Sequence, residues 1–166
     1  MLAATLAFGL TCNAAAVPAE TAPPATTATE TNLRILLDTV RTNRRALLAV
    51  NLGLDDEESA KFWPVYERYA KEVEAIGDRV LAMVQEYEKQ FGNLSNEKAL
   101  QLSRDYLEAE SERAKVRLSY LDEFARILPG RTVARFYQIE NKMDALLRYE
   151  LAATIPVIEP GGAPAR

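Results

Sequence analysis

Apolar side chains recur at Phe62, Tyr66, Tyr69, Val73, Ile76, Val80, Met83 and Tyr87, in alternating steps of four and three residues. A helix gathers such positions onto one stripe. A stripe sustained over three heptads predicts one long helix packed against another, here over about residues 56–91. Asp55 suits its N-cap, and Glu58, three residues later, completes a capping box. The acids at 55–58 also suit the positive end of the helix dipole. Pro64 lies roughly two turns in, where it removes the bond to the carbonyl of Ala60 and is expected to kink the helix. Gly92-Asn93 ends the pattern.

A second long helix follows over about 96–128, with Ser95 as N-cap and Pro129-Gly130 as stop. Its seam reads Leu100, Arg104, Leu107, Ser111, Ala114, Leu118, Leu121, Ala125 and Leu128, polar in its first half and apolar in its second. Arg104 and Ser111 either fix register, as polar core positions do in coiled coils, or mark an exposed end. A helix over about 32–51 places Leu33, Leu36, Leu37, Val40, Leu47 and Leu48 on one face and Arg34, Arg41, Arg44 and Arg45 on the other; Gly53 fits as its stop. A helix over about 131–153 carries Val133, Phe136, Ile139, Met143, Leu146 and Leu147. The short link between the two long helices predicts that they fold back antiparallel. The fold class is therefore all-α: a long antiparallel helical hairpin (about 56–91 and 96–128) flanked by helices of about 32–51 and 131–153. A thin hairpin has little core of its own, so a homodimer is expected to cover its second face.

The ends differ in composition. Met1 to Ala16 carries no charge and is mostly Ala, Leu and similar residues. It is too short for a membrane span, so it reads as a secretory signal cut after Ala14-Ala15-Ala16 or Val17-Pro18-Ala19. A signal normally opens with positive charge, whereas the first basic residue is Arg34, so an upstream start is one reading. Cys12 follows Gly9-Leu10-Thr11, a poor lipidation box. Residues 17–31, rich in Pro, Ala and Thr, read as a disordered tether, and 156–166 as a disordered tail, leaving 32–155 as the helical domain.

Composition narrows the chemistry. The chain has 166 residues, 20 basic and 24 acidic, for a net charge of −4, which gives no overall drive toward nucleic acid. It has no histidine and one cysteine, so an intrachain disulfide and the usual nucleophile–base pairs are missing. No Gly-rich phosphate loop appears. Glu108, Glu110, Glu112 and Asp105 form an acidic stretch, but bundle metal sites of the Glu-x-x-His kind need histidine, and exposed acids are the ordinary reading. No enzymatic activity, cofactor, metal or integral membrane span is expected.

Helix starts of the form Leu-cap-x-x-acceptor recur: Leu54-Asp55-Asp56-Glu57-Glu58, Leu94-Ser95-Asn96-Glu97-Lys98 and, weakly, Leu128-Pro129-Gly130-Arg131-Thr132. This resembles the Leu-Thr-x-x-Gln repeat of the Spy/CpxP group of periplasmic helical-hairpin proteins, with Asp55 for Thr and Glu58 for Gln. The segments NLGLDDEESAKFWPVYERY and LPGRTVARFYQIENK are similar to those of a large set of exported proteobacterial helical proteins without a known activity. The Spy/CpxP resemblance implies a dimeric, cradle-shaped periplasmic protein that acts as an ATP-independent chaperone or as a stress-signalling adaptor.

Two groups of residues are candidates for partner binding. Phe62, Trp63 and Tyr66 cluster around Pro64 and suit an aromatic client-binding patch. Phe62 and Tyr66 also lie on the seam, which favours core packing; Trp63 lies off it. Arg131, Arg135, Gln138 and Lys142 share the polar face of the last helix with Glu140, a surface for acidic or partly unfolded proteins or else a solvated face with pairs along the helix. Arg41, Arg44 and Arg45 carry the same two readings, with a weak contact to anionic lipid as a third. The expected function is an exported chaperone-like or stress-related binding protein for envelope proteins; a signalling adaptor or structural protein with one defined partner is the alternative.

Overall fold

The computed structural model describes residues 25–158. The predicted signal segment 1–16, tether residues 17–24 and tail residues 159–166 lie outside the described residues. Four helices follow one another: α1 (Ala25–Leu52), α2 (Asp56–Gln90), α3 (Asn96–Ile127) and α4 (Gly130–Thr154), with one 3₁₀ turn, Phe91–Asn93, between α2 and α3. No strand occurs among the described residues. The all-α class holds, and among the described residues no helix is long and apolar enough to cross a membrane. α1 starts at Ala25, inside the Pro/Ala/Thr stretch where an irregular tether was expected.

The boundaries follow local chemistry. The Asp55 side chain accepts from the Glu58 N–H at 2.8 Å, and the Glu58 carboxylate accepts from the Asp55 N–H, closing the capping box. Ser95 Oγ accepts from the Lys98 N–H in the same way. Gly53 turns the chain between α1 and α2 with a φ of 68°, which only glycine adopts without strain. α2 continues through Pro64 without a break in its helical assignment.

Side-chain pairs fix how the helices lie. Along α2 and α3, Arg68 meets Glu123, Glu72 meets Tyr120, Arg79 meets Glu112 and Glu86 meets Lys98. Partners descend along α3 as they ascend along α2, the pattern of antiparallel neighbours. α1 opposes α2 in the same sense through Arg45–Glu67 and Arg41–Asp78, and opposes α4 through Asn51–Arg135 and Arg44–Asp144. α3 opposes α4 through Tyr137–Arg117 and Arg148–Glu110. The four helices thus close into an up-down bundle. The basic face of α1, one reading of which was solvation, is the face that docks: Arg41 and Arg45 reach acids of α2.

The main core is aromatic. Phe62, Tyr69, Phe124 and Phe136 are essentially inaccessible, with Phe124 and Phe136 ring centroids 4.7 Å apart and Phe62 within 5.6 Å of both. Leu48, Leu52, Val65, Tyr66, Val73, Tyr120, Leu128 and Val133 complete it. A smaller cluster of Leu81, Val84 and Leu147 lies toward the end of α4.

The α2 seam holds from Phe62 to Val80, all buried, with Met83 and Tyr87 half-buried. The α3 seam does not. Leu100, Arg104, Leu107, Ser111, Ala114, Leu118, Leu121 and Ala125 are all exposed, and of that series only Leu128 is buried. The buried face is Leu102, Ala109, Arg113, Tyr120 and Phe124. On that side Tyr120 and Phe124 join the rings of Phe62, Tyr69 and Phe136 in one aromatic core. Arg113 and Tyr120 also meet carboxylates of the neighbouring helices, Asp144 of α4 and Glu72 of α2. Leu47 and Leu146, expected on apolar faces, are likewise exposed.

Candidate functional site

Phe62 and Tyr66 do not belong to a surface patch. They are 0% and 4% exposed and stack in the core, ring centroids 5.6 Å apart. The heptad places them on the buried side of α2, and burying a ring contributes about 2–3 kcal/mol. Trp63, one residue off the seam, is half-buried, and the Arg45 guanidinium lies over its ring at 4.4 Å.

Arg131, Arg135, Gln138 and Lys142 are all exposed and succeed one another at steps of four, three and four along α4. Helical periodicity therefore puts them on one line. The structure brings them to the rim of a groove between α1 and α4. One part, of about 420 Å³, is lined by Leu47, Asn51, Arg135, Gln138, Ile139, Lys142 and Met143. It continues into a second part of the same size beside Arg131, Thr132, Ala134, Arg135 and Gln138. The lining holds three cations, three apolar side chains near the α1 edge, and no carboxylate. Arg135 Nε donates to the carbonyl of Asn51 at 2.6 Å and so satisfies an otherwise free carbonyl at the C-terminal end of α1.

A buried polar cluster joins the four helices. Arg44 donates to Glu140 at 3.0 Å and to Asp144 at 2.7 Å. The Tyr69 hydroxyl donates to Glu140 at 3.0 Å. Arg117 donates to Asp144 at 3.4 Å, and Arg113 lies 3.9 Å from it. Glu140 is 0% and Asp144 4% exposed. Burial pushes the Glu140 carboxyl above the ordinary glutamate range, Arg44 opposes that rise, and Asp144 adds to it. Burial also works against the charge of Arg44, but Glu140 and Asp144 outweigh it and raise its pKa. Burial, reinforced by Glu140, drives the Tyr69 hydroxyl well above its usual value. Glu140 Oε1 and Arg113 Nε remain without a hydrogen-bond partner among the described residues.

Glu140 and Arg44 correct the picture of solvated helix faces. Both stand among charged neighbours in sequence, and the partners that draw them inward lie about a hundred residues away. The one local sign is that Glu140 and Asp144, four apart, flank the apolar position Met143. Chemically the cluster is a clamp: its charges are engaged with one another and with Tyr69. Among the described residues no group of three or more His, Cys, Asp or Glu is placed to hold a metal ion. The acidic stretch of α3 is partly engaged, Glu112 with Arg79 and Glu110 with Arg148.

No family model, curated protein or solved structure matches the chain.

Proposed function

We propose that the protein is an exported, ATP-independent binding protein of the chaperone-like kind, acting on partly unfolded envelope proteins in the periplasm. One observation carries this reading: the rim of Arg131, Arg135, Gln138 and Lys142 around Leu47, Ile139 and Met143. A client segment mixing acidic and apolar residues finds both complements there without a cofactor, the cations guiding encounter and the apolar side chains adding burial. The uncharged opening segment and the likeness to Spy/CpxP proteins support the compartment.

The groove's modest size favours a second reading, an adaptor that holds one short segment of one defined partner. Both readings place the contact on the same residues. Aggregation of a reduced or urea-diluted client, followed by light scattering, separates them. Equimolar protein suppresses scattering on the first reading, and R131E combined with K142E removes most of that effect while leaving the Arg135–Asn51 cap intact. No suppression at several-fold excess overturns it, and a single crosslinked partner in the native envelope then supports the adaptor.

A further inference from the structure

α3 has two stripes at heptad spacing, and the bundle buries one. The outer stripe, from Leu100 to Ala125, faces solvent along its whole length, with Leu100, Leu107 and Leu118 70%, 66% and 68% exposed. Isolated exposed leucines are normal on a folded surface. A repeat sustained over that span, about 38 Å at the helical rise, has the form of a coiled-coil seam without its mate.

Two further observations say what the mate is. An open depression of about 370 Å³ on this face is lined by Ala114, Arg117, Leu118, Leu121 and Tyr137. The first four stand at i, i+3, i+4 and i+7, the four-residue hole that receives one knob of a facing helix. Arg104 within the stripe and Glu108, Lys115 and Asp122 along its flank are all exposed, and none of these side chains has a polar partner among the described residues. Their signs run plus, minus, plus, minus, so the series complements its own reversal.

We propose that this face binds a second copy of the chain, α3 against α3, antiparallel, about a two-fold axis between positions 112 and 113. In that register Leu107 enters the second copy's hole at Ala114, Arg117, Leu118 and Leu121, with Tyr137 as its wall. Ser111 meets Ala114, so small residues sit at the axis where the helices come closest. Arg104 reaches Asp122 and Glu108 reaches Lys115, and the symmetry makes each pair twice. A parallel pairing instead stacks Arg104 on Arg104 and sets Glu108 beside Ser103, so the free charges select the antiparallel arrangement. This inference is independent of the α1/α4 groove, which lies outside the contact.

The test is sedimentation velocity of the full chain over a concentration series up to high micromolar. The wild type sediments as a dimer at the upper end. L107E combined with L118E sediments as a monomer with unchanged helical circular dichroism, because both positions face solvent within one copy. E108K weakens the dimer by roughly tenfold or more, since it sets Lys against Lys twice, and E108K combined with K115E restores it. A wild type that stays monomeric throughout overturns the proposal, whatever else then binds the stripe. A dimer indifferent to L107E and L118E overturns it, and failure of K115E to rescue E108K overturns the register. The R131E and K142E variant stays dimeric, so loss of client binding and loss of the dimer are read separately.

Discussion

Replacing Arg44 with methionine removes the cation that joins two buried carboxylates while keeping its stem. At an effective dielectric of about 20, one pair of unit charges near 3 Å attracts by roughly 5–6 kcal/mol, and Arg44 makes two such contacts, at 3.0 and 2.7 Å. Burying the ions costs several kcal/mol each, so the intact cluster nets little. Removing one member leaves that cost uncompensated, and a loss of about 3–5 kcal/mol is expected. Arg117 and Tyr69 remain beside the two acids and keep the value from rising further. In a chain of this size the loss lowers Tm by about 10 °C or more. The sign with pH follows from Glu140. Its folded pKa is raised, so its favourable contribution is present below the ordinary glutamate value and is lost as pH rises through the folded value. Without Arg44 the strongest opponent of the rise is gone, Tyr69 and Arg117 oppose it less, and the upper edge of that window moves further up. The deficit of the variant relative to wild type is therefore smaller near pH 5 than near pH 7. Urea unfolding followed by circular dichroism, at equal protein concentration for both chains, measures it. A deficit below about 1 kcal/mol, or one equal at the two pH values, refutes the reasoning.

Two further outcomes test the same core. Phe136→Ala deletes a fully buried ring in contact with Phe62, Tyr69 and Phe124, and is expected to cost about 3–5 kcal/mol in guanidinium unfolding; a cost under about 2 kcal/mol shows that the site collapses around the gap. Burial raises the hydroxyls of Tyr66 and Tyr69, and pushes Tyr137 up to about 12. Raised pKa values mean that their contribution is intact below the free tyrosine value of 10 and is lost as pH climbs above it. Tm is expected to fall steadily above that value, with buried tyrosine ionisation appearing only together with unfolding; free titration of all seven tyrosines in the folded state contradicts this.

What the sequence discloses is local. The α2 seam, the capping box at Asp55 and Glu58, the Ser95 cap and the stop at Gly53 are read from neighbouring residues and need no knowledge of partners. α3 defeats that reading because both of its stripes repeat at heptad spacing. Counting apolar residues selects Leu100 to Ala125, whereas the bundle is organised by Tyr120, Phe124 and the partners of Arg113. The position of a large ring outweighs the number of leucines, and a polar residue such as Arg113 reads as inward only once Asp144 is known to wait there. The candidate site divides in the same manner. Arg131, Arg135, Gln138 and Lys142 follow from helical spacing, but the apolar side of their groove comes partly from Leu47 of another helix. Arg44 and Glu140 carry no local mark, because each is inward only on account of the other.

The buried charge cluster also sets the alignment of the bundle. Greasy faces tolerate sliding: a helix shifted by one turn still finds leucine against leucine. Arg44 has no such freedom, since moving α4 by one turn, about 5.4 Å, carries Glu140 and Asp144 away from it. Every misaligned stack strands ions out of water, so the layer acts as a detent that the hydrophobic seams alone do not supply.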